Sequence, residues 1–576
     1  TAAPPTPTPP RSAPPLPGRP APSAHGGPLR WSLSAARTGR ARLGLAVLLG
    51  AAALGSGVAL TATSAWLIST AALHPPVLTL MVAIVAVRTF GLAKGVLRYA
   101  ERLVSHDAAL RAGAALRVRI WAALVRLGPA ATERVRRGEL LARLVGDVEA
   151  QQDLLLRVLL PAASAAVVGA GVVTGFGLLL PAAGPVAAVG LLAAGLGAPA
   201  AALWAALKSE RRSGTQRAEV LAGTVELIEG AADLLVAGAA DRHRDRLARL
   251  DARLAATLRR AATARGLGGG IAVLAVGATS VAALAVGTAA LRAGLLPGPA
   301  LAVLALTPLA CADVVAGLPE AAVRLLTAVP AAQRLATLEQ APAPVIDPAA
   351  AAGTAPPGAL AARGLAVRWP GSHSDVVTGV DLVLAPGHRV ALTGPSGSGK
   401  SSVVAALLRT LPPAAGRITA DGRDVTTLAA DDVRAGIAWC GPWTHLFDST
   451  LRANLRLAAP DATDDELVAA LRRAQLGDWF AGLPDGLDTA VGEHGGAVSG
   501  GERQRLGVAR VLVADRPVLV LDEATAHLDA ATADALAGEL LASTAGRTAL
   551  LVTHRPEQTP GLPEVRLDSG RVVAVR

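Results

Sequence analysis

The chain has 576 residues, of which 52% are hydrophobic and 17% charged, and a formal net charge of +11. That is too apolar for an ordinary soluble protein and long enough for several domains, so part of it enters a bilayer. The basic excess flanks apolar runs and forms no patch with interleaved aromatics, which argues against a nucleic-acid partner; two cysteines, Cys311 and Cys440, imply no disulfide framework.

Residues 1–29 are rich in Pro, Ala and Thr and lack the apolar core of a signal peptide, so they are expected to be disordered. Met81 is the single methionine. Its position fits either processing before Thr1 or a start that is the linker of a longer fused polypeptide.

Residues 30–340 read as a membrane domain. Charge-free stretches run from Leu43 up to Arg88, from Val158 to Leu207, from Gly266 to Leu291 and from Ala293 to Ala312. A helical span needs ~20 residues, so the first two stretches, broken by Pro75 and Pro76 and by Pro181 and Pro185, each supply a pair, and six spans result. Arginines gather before span one, in segments 98–157 and 208–265, and at Arg324; the connections near Pro75, Gly184 and Gly294 carry almost none apart from Arg292. The positive-inside rule then places both termini in the cytoplasm. Ionisable residues within spans cost ~2.5–3.5 kcal/mol each at the bilayer centre. Arg88, Asp313 and Glu320 therefore stand out, either facing a zwitterionic solute or holding the bundle as an interhelical ion pair.

A Pro/Ala/Gly stretch, 341–358, reads as a linker to a second domain, 359–576. Gly394, Pro395, Ser396, Gly397, Ser398, Gly399, Lys400 and Ser401 fit GxxxxGK[ST] directly after an apolar strand, Arg389 to Leu392. The glycines let backbone N–H groups close on phosphates, Lys400 reaches the β- and γ-phosphates, and the helix from Ser402 presents its positive end. Only three lysines occur, Lys94, Lys208 and Lys400, so one has been kept where a compact ammonium suits phosphate. The loop binds a nucleoside triphosphate, ATP, with Mg²⁺ on Ser401. Downstream, Val518 to Leu521 form a buried strand ending in Asp522, a second Mg²⁺ ligand, with Glu523 beside it to polarise the attacking water. Ser499, Gly500, Gly501 and Glu502 open a helix suited to approach a γ-phosphate, and His554 follows the strand Ala549 to Thr553. Taken singly, Asp522 also reads as a strand cap, Ser499 as a helix N-cap and His554 as a loop histidine.

In this order and spacing the residues resemble an ABC-type ATPase domain. The resemblance implies an α/β P-loop fold, Trp369 stacking on adenine, His527 to Asp529 in the D-loop, and a head-to-tail dimer in which the Ser499 helix of one copy closes the phosphate loop of the other. Where that family has a metal-contacting glutamine, this chain has Pro442. With six preceding spans, the whole resembles an all-α type I exporter domain joined to that ATPase. Gly138 to Val148 and Glu226 to Asp233 look like ATPase-docking regions.

The run Arg98 to Asp107 (RYAERLVSHD), the segment Arg136 to Pro161 and the run His445 to Ala458 resemble the CydC family of bacterial thiol-reductant exporters, from about Leu43 to the C-terminus. That resemblance implies ATP-driven export of cysteine or glutathione across the bacterial cytoplasmic membrane, in contact with membrane lipid, in support of cytochrome bd assembly. It further implies a heterodimer with a CydD-like half-transporter, separate or fused upstream, and an associated haem b with His106 as axial ligand and Arg102 on a propionate. Read from the residues alone, Ser105, His106 and Asp107 make a polar turn or a helix contact. A haem-handling assembly factor and a lipid or drug exporter half are the rival readings.

Overall fold

The computed structural model describes residues 30–32, 40–132, 140, 143–348, 356–492, 495–525 and 528–575. The expected disordered segment 1–29, part of the 341–358 linker, much of the Gly138 to Val148 segment and His527 of the expected D-loop lie outside the described residues.

Among these residues, six helices are long and apolar enough to cross a membrane: α1 Arg40–Ala71, α2 Val77–Ala130, α3 Arg143–Leu179, α4 Ala183–Leu207, α5 Ala240–Arg292 and α6 Gly298–Gln340. Proline and glycine set their turns. Leu180 is forced into an extended conformation (φ −153°) by the following Pro181, and Gly294 takes φ 70° after α5. The third turn thus sits at Pro181, a little before Gly184. Within each span's most apolar window only 6 to 33% of residues are buried, so most apolar side chains face outward, as a bilayer or a second subunit requires.

Inside the bundle, small residues allow close approach: Ala183, Ala187 and Ala283 pack with Phe176, Leu304 and Cys311 in one cluster. Cys311 is 2% exposed, so it acts as packing. In the C-terminal half of α6, α3 is clamped to it by Arg334 on Asp147 at 2.6 Å, Arg324 on Asp153 at 2.8 Å and the Gln151 amide donating to the Ala328 carbonyl at 2.9 Å. The hydrogen-bond pattern of α6 is interrupted at Cys311 and at Ala316 and Gly317, dividing it into Gly298–Ala310, Ala312–Val315 and Leu318–Gln340, while Cys311 and Ala316 keep right-handed helical dihedrals.

The contact pattern divides the chain into two units, the described parts of 22–123 with 137–340, and those of 124–136 with 341–576. The tip of α2 groups with the ATPase unit: after a break at Gly128 (φ 65°) and Pro129, Ala130 is buried with Leu360, Leu392 and Leu407.

The ATPase unit carries two sheets. One is antiparallel, with order β2-β1-β4-β5, formed by β1 Leu360–Val367, β2 Val377–Leu384, β4 Pro413–Ala420 and β5 Arg423–Asp424. The other has order β10-β9-β3-β8-β7-β6, built on β3 Arg389–Thr393, β6 Ile437–Cys440, β7 Val518–Asp522, β8 Thr548–Thr553, β9 Glu564–Asp568 and β10 Arg571–Val575. Strands β3, β6, β7 and β8 run parallel. Every residue of β7 and β8 is buried, the signature of strands covered on both faces. Parallel order brings the carboxyl ends of β3, β6, β7 and β8 to one edge, where open α/β sheets bind ligands.

Candidate functional site

The phosphate loop leaves β3 at Thr393 and enters helix α7, Lys400–Leu407. Its glycines are required by geometry. Gly394 has φ 145°, and a Cβ there would lie 2.1 Å from the Leu567 carbonyl oxygen; Gly399 has φ 101°, and a Cβ would meet Val377 at 2.6 Å. Lys400 is buried, its ammonium donating to the Gly394 and Pro395 carbonyls at 2.9 and 3.1 Å. The lysine thus lies curled over its own loop, with Nζ 3.9 Å from Glu523 Oε1.

Asp522 and Glu523 follow β7. Asp522 is 2% exposed, and its Oδ1 has no hydrogen-bond partner. Burial pushes its carboxyl up to about 6, opposed by a hydrogen bond from Ser401. A buried carboxylate short of partners beside a serine hydroxyl fits a hard divalent cation, so Ser401 and Asp522 would hold Mg²⁺. The Ser398 hydroxyl is likewise buried and unpartnered, inside the loop that would wrap the phosphates. Glu523 takes φ 53°, an arrangement that costs of order 1–3 kcal/mol for a non-glycine residue and sets its carboxylate 3.6 Å from His554 Nδ1. The backbone N–H of Glu523 donates to Val552 at 2.9 Å, tying this turn to β8. Lys400, Ser401, Asp522, Glu523 and His554 therefore converge on one edge, as the motif order predicts.

Two other predicted residues are engaged in supporting contacts. The Trp369 indole N–H donates to Ser402 Oγ at 3.0 Å, and its ring packs on the sheet core, bracing the first turn of α7. Helix α10, Gly500–Ala514, is counted after α8 Leu451–Arg456 and α9 Asp464–Arg473. It opens with a capping box, Ser499 Oγ accepting from the Glu502 N–H at 3.2 Å and Glu502 accepting from the Ser499 N–H at 2.7 Å. Glu502 is thus occupied in shaping the turn, while Ser499 and Gly500 are exposed. No hydrogen bond or ion pair among the described residues joins this turn to the phosphate loop of the same chain.

Sequence reasoning missed the residues that hold the segment after β6. Gln504 donates to the Gly441 carbonyl at 3.1 Å, next to Pro442. Asn454 on α8 accepts from the Phe447 N–H at 2.9 Å and donates to the Phe447 and Thr450 carbonyls, while Arg510 donates to Asn454 Oδ1 at 2.6 Å and to the His445 carbonyl. Both ends of this network lie in runs that stand out in the sequence, SGGERQ and HLFDSTLRANLRLA, yet their pairing has no local signal. Cys440, fully enclosed at the base of the segment, has its thiol pushed up to about 12 by burial, so it remains protonated.

In the membrane unit, Asp313 pairs with Lys94 at 3.2 Å and Glu320 with Arg324 at 2.7 Å. Arg88 is exposed. Asp313 thus joins α6 to α2 through Lys94, whereas Glu320 pairs within its own helix. The His106 ring nitrogen Nδ1 lies 2.9 Å from the Arg102 carbonyl oxygen. The His106 side chain is exposed, and the same contact to the carbonyl four residues earlier is made by His243 with Ala239.

Six spans and one P-loop ATPase domain define half of a type I ABC exporter, an ATP-hydrolysing multi-pass membrane protein. The family model described as ABC transporter matches residues 377–526. The sequence is 30% identical to the glutathione/L-cysteine transport system ATP-binding/permease protein CydC of Escherichia coli (strain K12), over 92% of this chain and 93% of that one. To the corresponding CydD of Bacillus subtilis (strain 168) it is 31% identical, over 88% and 89%. The chain belongs to the CydC/CydD family of ABC transporter subunits. The mycobactin import ATP-binding/permease protein IrtB of Mycolicibacterium thermoresistibile is 41% identical, but over 36% of each chain. A solved bacterial Atm1-family ABC exporter with ATP bound shares the fold at TM-score 0.80, covering 93% and 95% of the two chains at 23% identity.

Proposed function

We propose that this chain is the CydC-like half of a heterodimeric exporter that moves cysteine or glutathione out across the bacterial cytoplasmic membrane, with both termini inside and cytochrome bd assembly dependent on it. One observation carries the reading: similarity to the glutathione/L-cysteine transport proteins runs through both membrane and ATPase parts, at 92% of the chain, whereas similarity to the mycobactin import protein covers 36%. Substrate choice resides in the membrane part, so the long match weighs more than the closer short one.

Residues 359–576 act as the nucleotide-binding domain, and the linker at 341–358 joins it to the exporter domain, 30–340. The Gly394–Ser401 loop with Ser402 receives ATP phosphates, Trp369 lies at the adenine end, Ser401 and Asp522 hold Mg²⁺, Glu523 orients water and His554 contacts the γ-phosphate. Ser499, Gly500, Gly501 and Glu502 complete the facing site on a CydD-like partner, separate or fused upstream. ATP-driven closure of the two ATPase domains turns the cavity outward, and hydrolysis resets it. A haem-handling role is the second reading, resting on the resemblance of the Arg98 to Asp107 run and the exposed side chain of His106; Arg102 would take a propionate of haem b.

The test is ATP-dependent uptake of radiolabelled cysteine and glutathione into inverted vesicles holding this chain with its CydD-like partner. Uptake lost in Lys400→Ala is the expected result. If neither thiol enters while haem stimulates ATP hydrolysis and bound haem disappears in His106→Ala, the haem reading replaces it.

A further inference from the structure

Helices α1, α2, α3 and α6 border a half-open cavity of about 250 Å³ in the membrane unit, lined by Arg98, Glu101, Arg102, Ser164, Asp313 and Gly317 among apolar residues. Its size is slightly below the ~300–1,000 Å³ of drug-sized sites, so it suits a solute of amino-acid to tripeptide size. Three features set it apart from a packing defect. First, Lys94, Arg98 and Arg102 recur every four residues on α2, one cationic stripe along a single helix face. Second, Glu101 and Asp313 supply opposite charge, Asp313 being linked to Lys94 at 3.2 Å and 69% exposed on its side chain. Third, the wall on the α6 side is the stretch from Asp313 to Gly317, where the helical hydrogen-bond pattern is interrupted after Val315. Backbone groups freed at membrane depth need water or protein partners, which a polar cavity supplies.

We propose that this cavity binds the amino-acid end of the exported thiol, with Arg98 and Arg102 on a carboxylate and Glu101 and Asp313 on the ammonium group. The assignment rests on the thiol-export reading. Charge agrees with this. Among the lining residues two cations, Arg98 and Arg102, balance two carboxylates, Glu101 and Asp313, and the amino-acid end of a thiol, one carboxylate and one ammonium, keeps that balance. Gly50 lets the walls meet: a Cβ there would lie 2.7 Å from Ser164 Oγ and 3.5 Å from Glu101 Cγ. A Cβ on Gly317 would meet nothing within 4 Å, so a side chain at that position extends into the open space.

The experiment is uptake of radiolabelled glutathione by inverted vesicles carrying the complex with its CydD-like partner, for wild type, Arg98→Gln, Asp313→Asn and Gly317→Leu, with nucleotide-induced thermal stabilisation verifying folding. Loss of one charged contact raises the half-saturating glutathione concentration about ten- to a hundredfold, and Gly317→Leu, which keeps every charge, does the same by filling space. Cysteine, which carries the same amino-acid end, competes; cysteamine, without a carboxylate, and N-acetylcysteine, without a free ammonium, do not compete. Wild-type uptake with unchanged half-saturation in all three variants, or equal competition by cysteamine, overturns the site while leaving thiol export standing. Absence of any thiol uptake by wild type overturns both.

Discussion

Replacing Asp522 with Asn separates what this carboxylate costs the fold from what it does for the nucleotide. Its carboxyl lies at about 6 in place of the ordinary 3.8, chiefly through burial. At about 1.4 kcal/mol per tenfold change in proton affinity, holding the ionised form in the nucleotide-free protein costs about 3 kcal/mol. The sign follows from proton binding: the native state holds the proton more tightly, so stability falls as pH rises from 3.8 to 6 and is flat above. About 1 kcal/mol of that fall lies between pH 5 and 7. Asn has similar shape and no charge, but it weakens the contact with Ser401, worth ~1 kcal/mol. The expected net gain at pH 7 is ~2 kcal/mol, or about 4–8 °C for a unit of this size. Thermal unfolding of the full chain in nanodiscs, followed from pH 5 to 8 with and without Mg·ATP, checks it. Asp522→Asn is expected to melt higher without nucleotide, to lose the wild-type pH slope, and to gain little from Mg·ATP. A lower melting temperature without nucleotide, or an unchanged pH slope, would refute the burial argument.

Glu523→Gln is expected to keep ATP binding and lower turnover about 10²–10⁴-fold, read as phosphate release against retained nucleotide. Gly394→Ala brings a Cβ to 2.1 Å from the Leu567 carbonyl oxygen, so ATP binding is lost without loss of the spans, as equilibrium binding to purified complex will show. Asn454→Ala removes three hydrogen bonds to the 447–450 segment and leaves Arg510 without its Oδ1 acceptor. It is expected to cost ~1–3 kcal/mol and to raise hydrogen exchange in residues 441–454. Pro442→Gln supplies the carboxamide that proline lacks and is expected to speed ATP hydrolysis; an unchanged rate shows that Pro442 does not limit this site.

Features carried by contiguous residues are legible in the sequence. The phosphate loop is one, because glycine dihedrals, a lysine and a helix start are local properties. The spans are another, because a bilayer demands long apolar runs whatever the neighbours are. Asp522 and His554 are legible for a third reason: each terminates a strand so apolar that it must be buried on both faces. The pairing of Lys94 with Asp313 is not legible, since those residues are 219 positions apart and only packing decides which cation faces the carboxylate. Nor is the net of Gln504, Asn454 and Arg510 behind Pro442, or the use of Trp369 to brace Ser402.

The sequence by itself determined six helices long and apolar enough to cross a membrane and an ATP-binding loop, for each follows from composition or from backbone geometry over a few residues. The tertiary structure alone decided which charges meet. Ion pairs and side-chain hydrogen bonds act over a few ångströms, and only packing brings residues from distant segments that close.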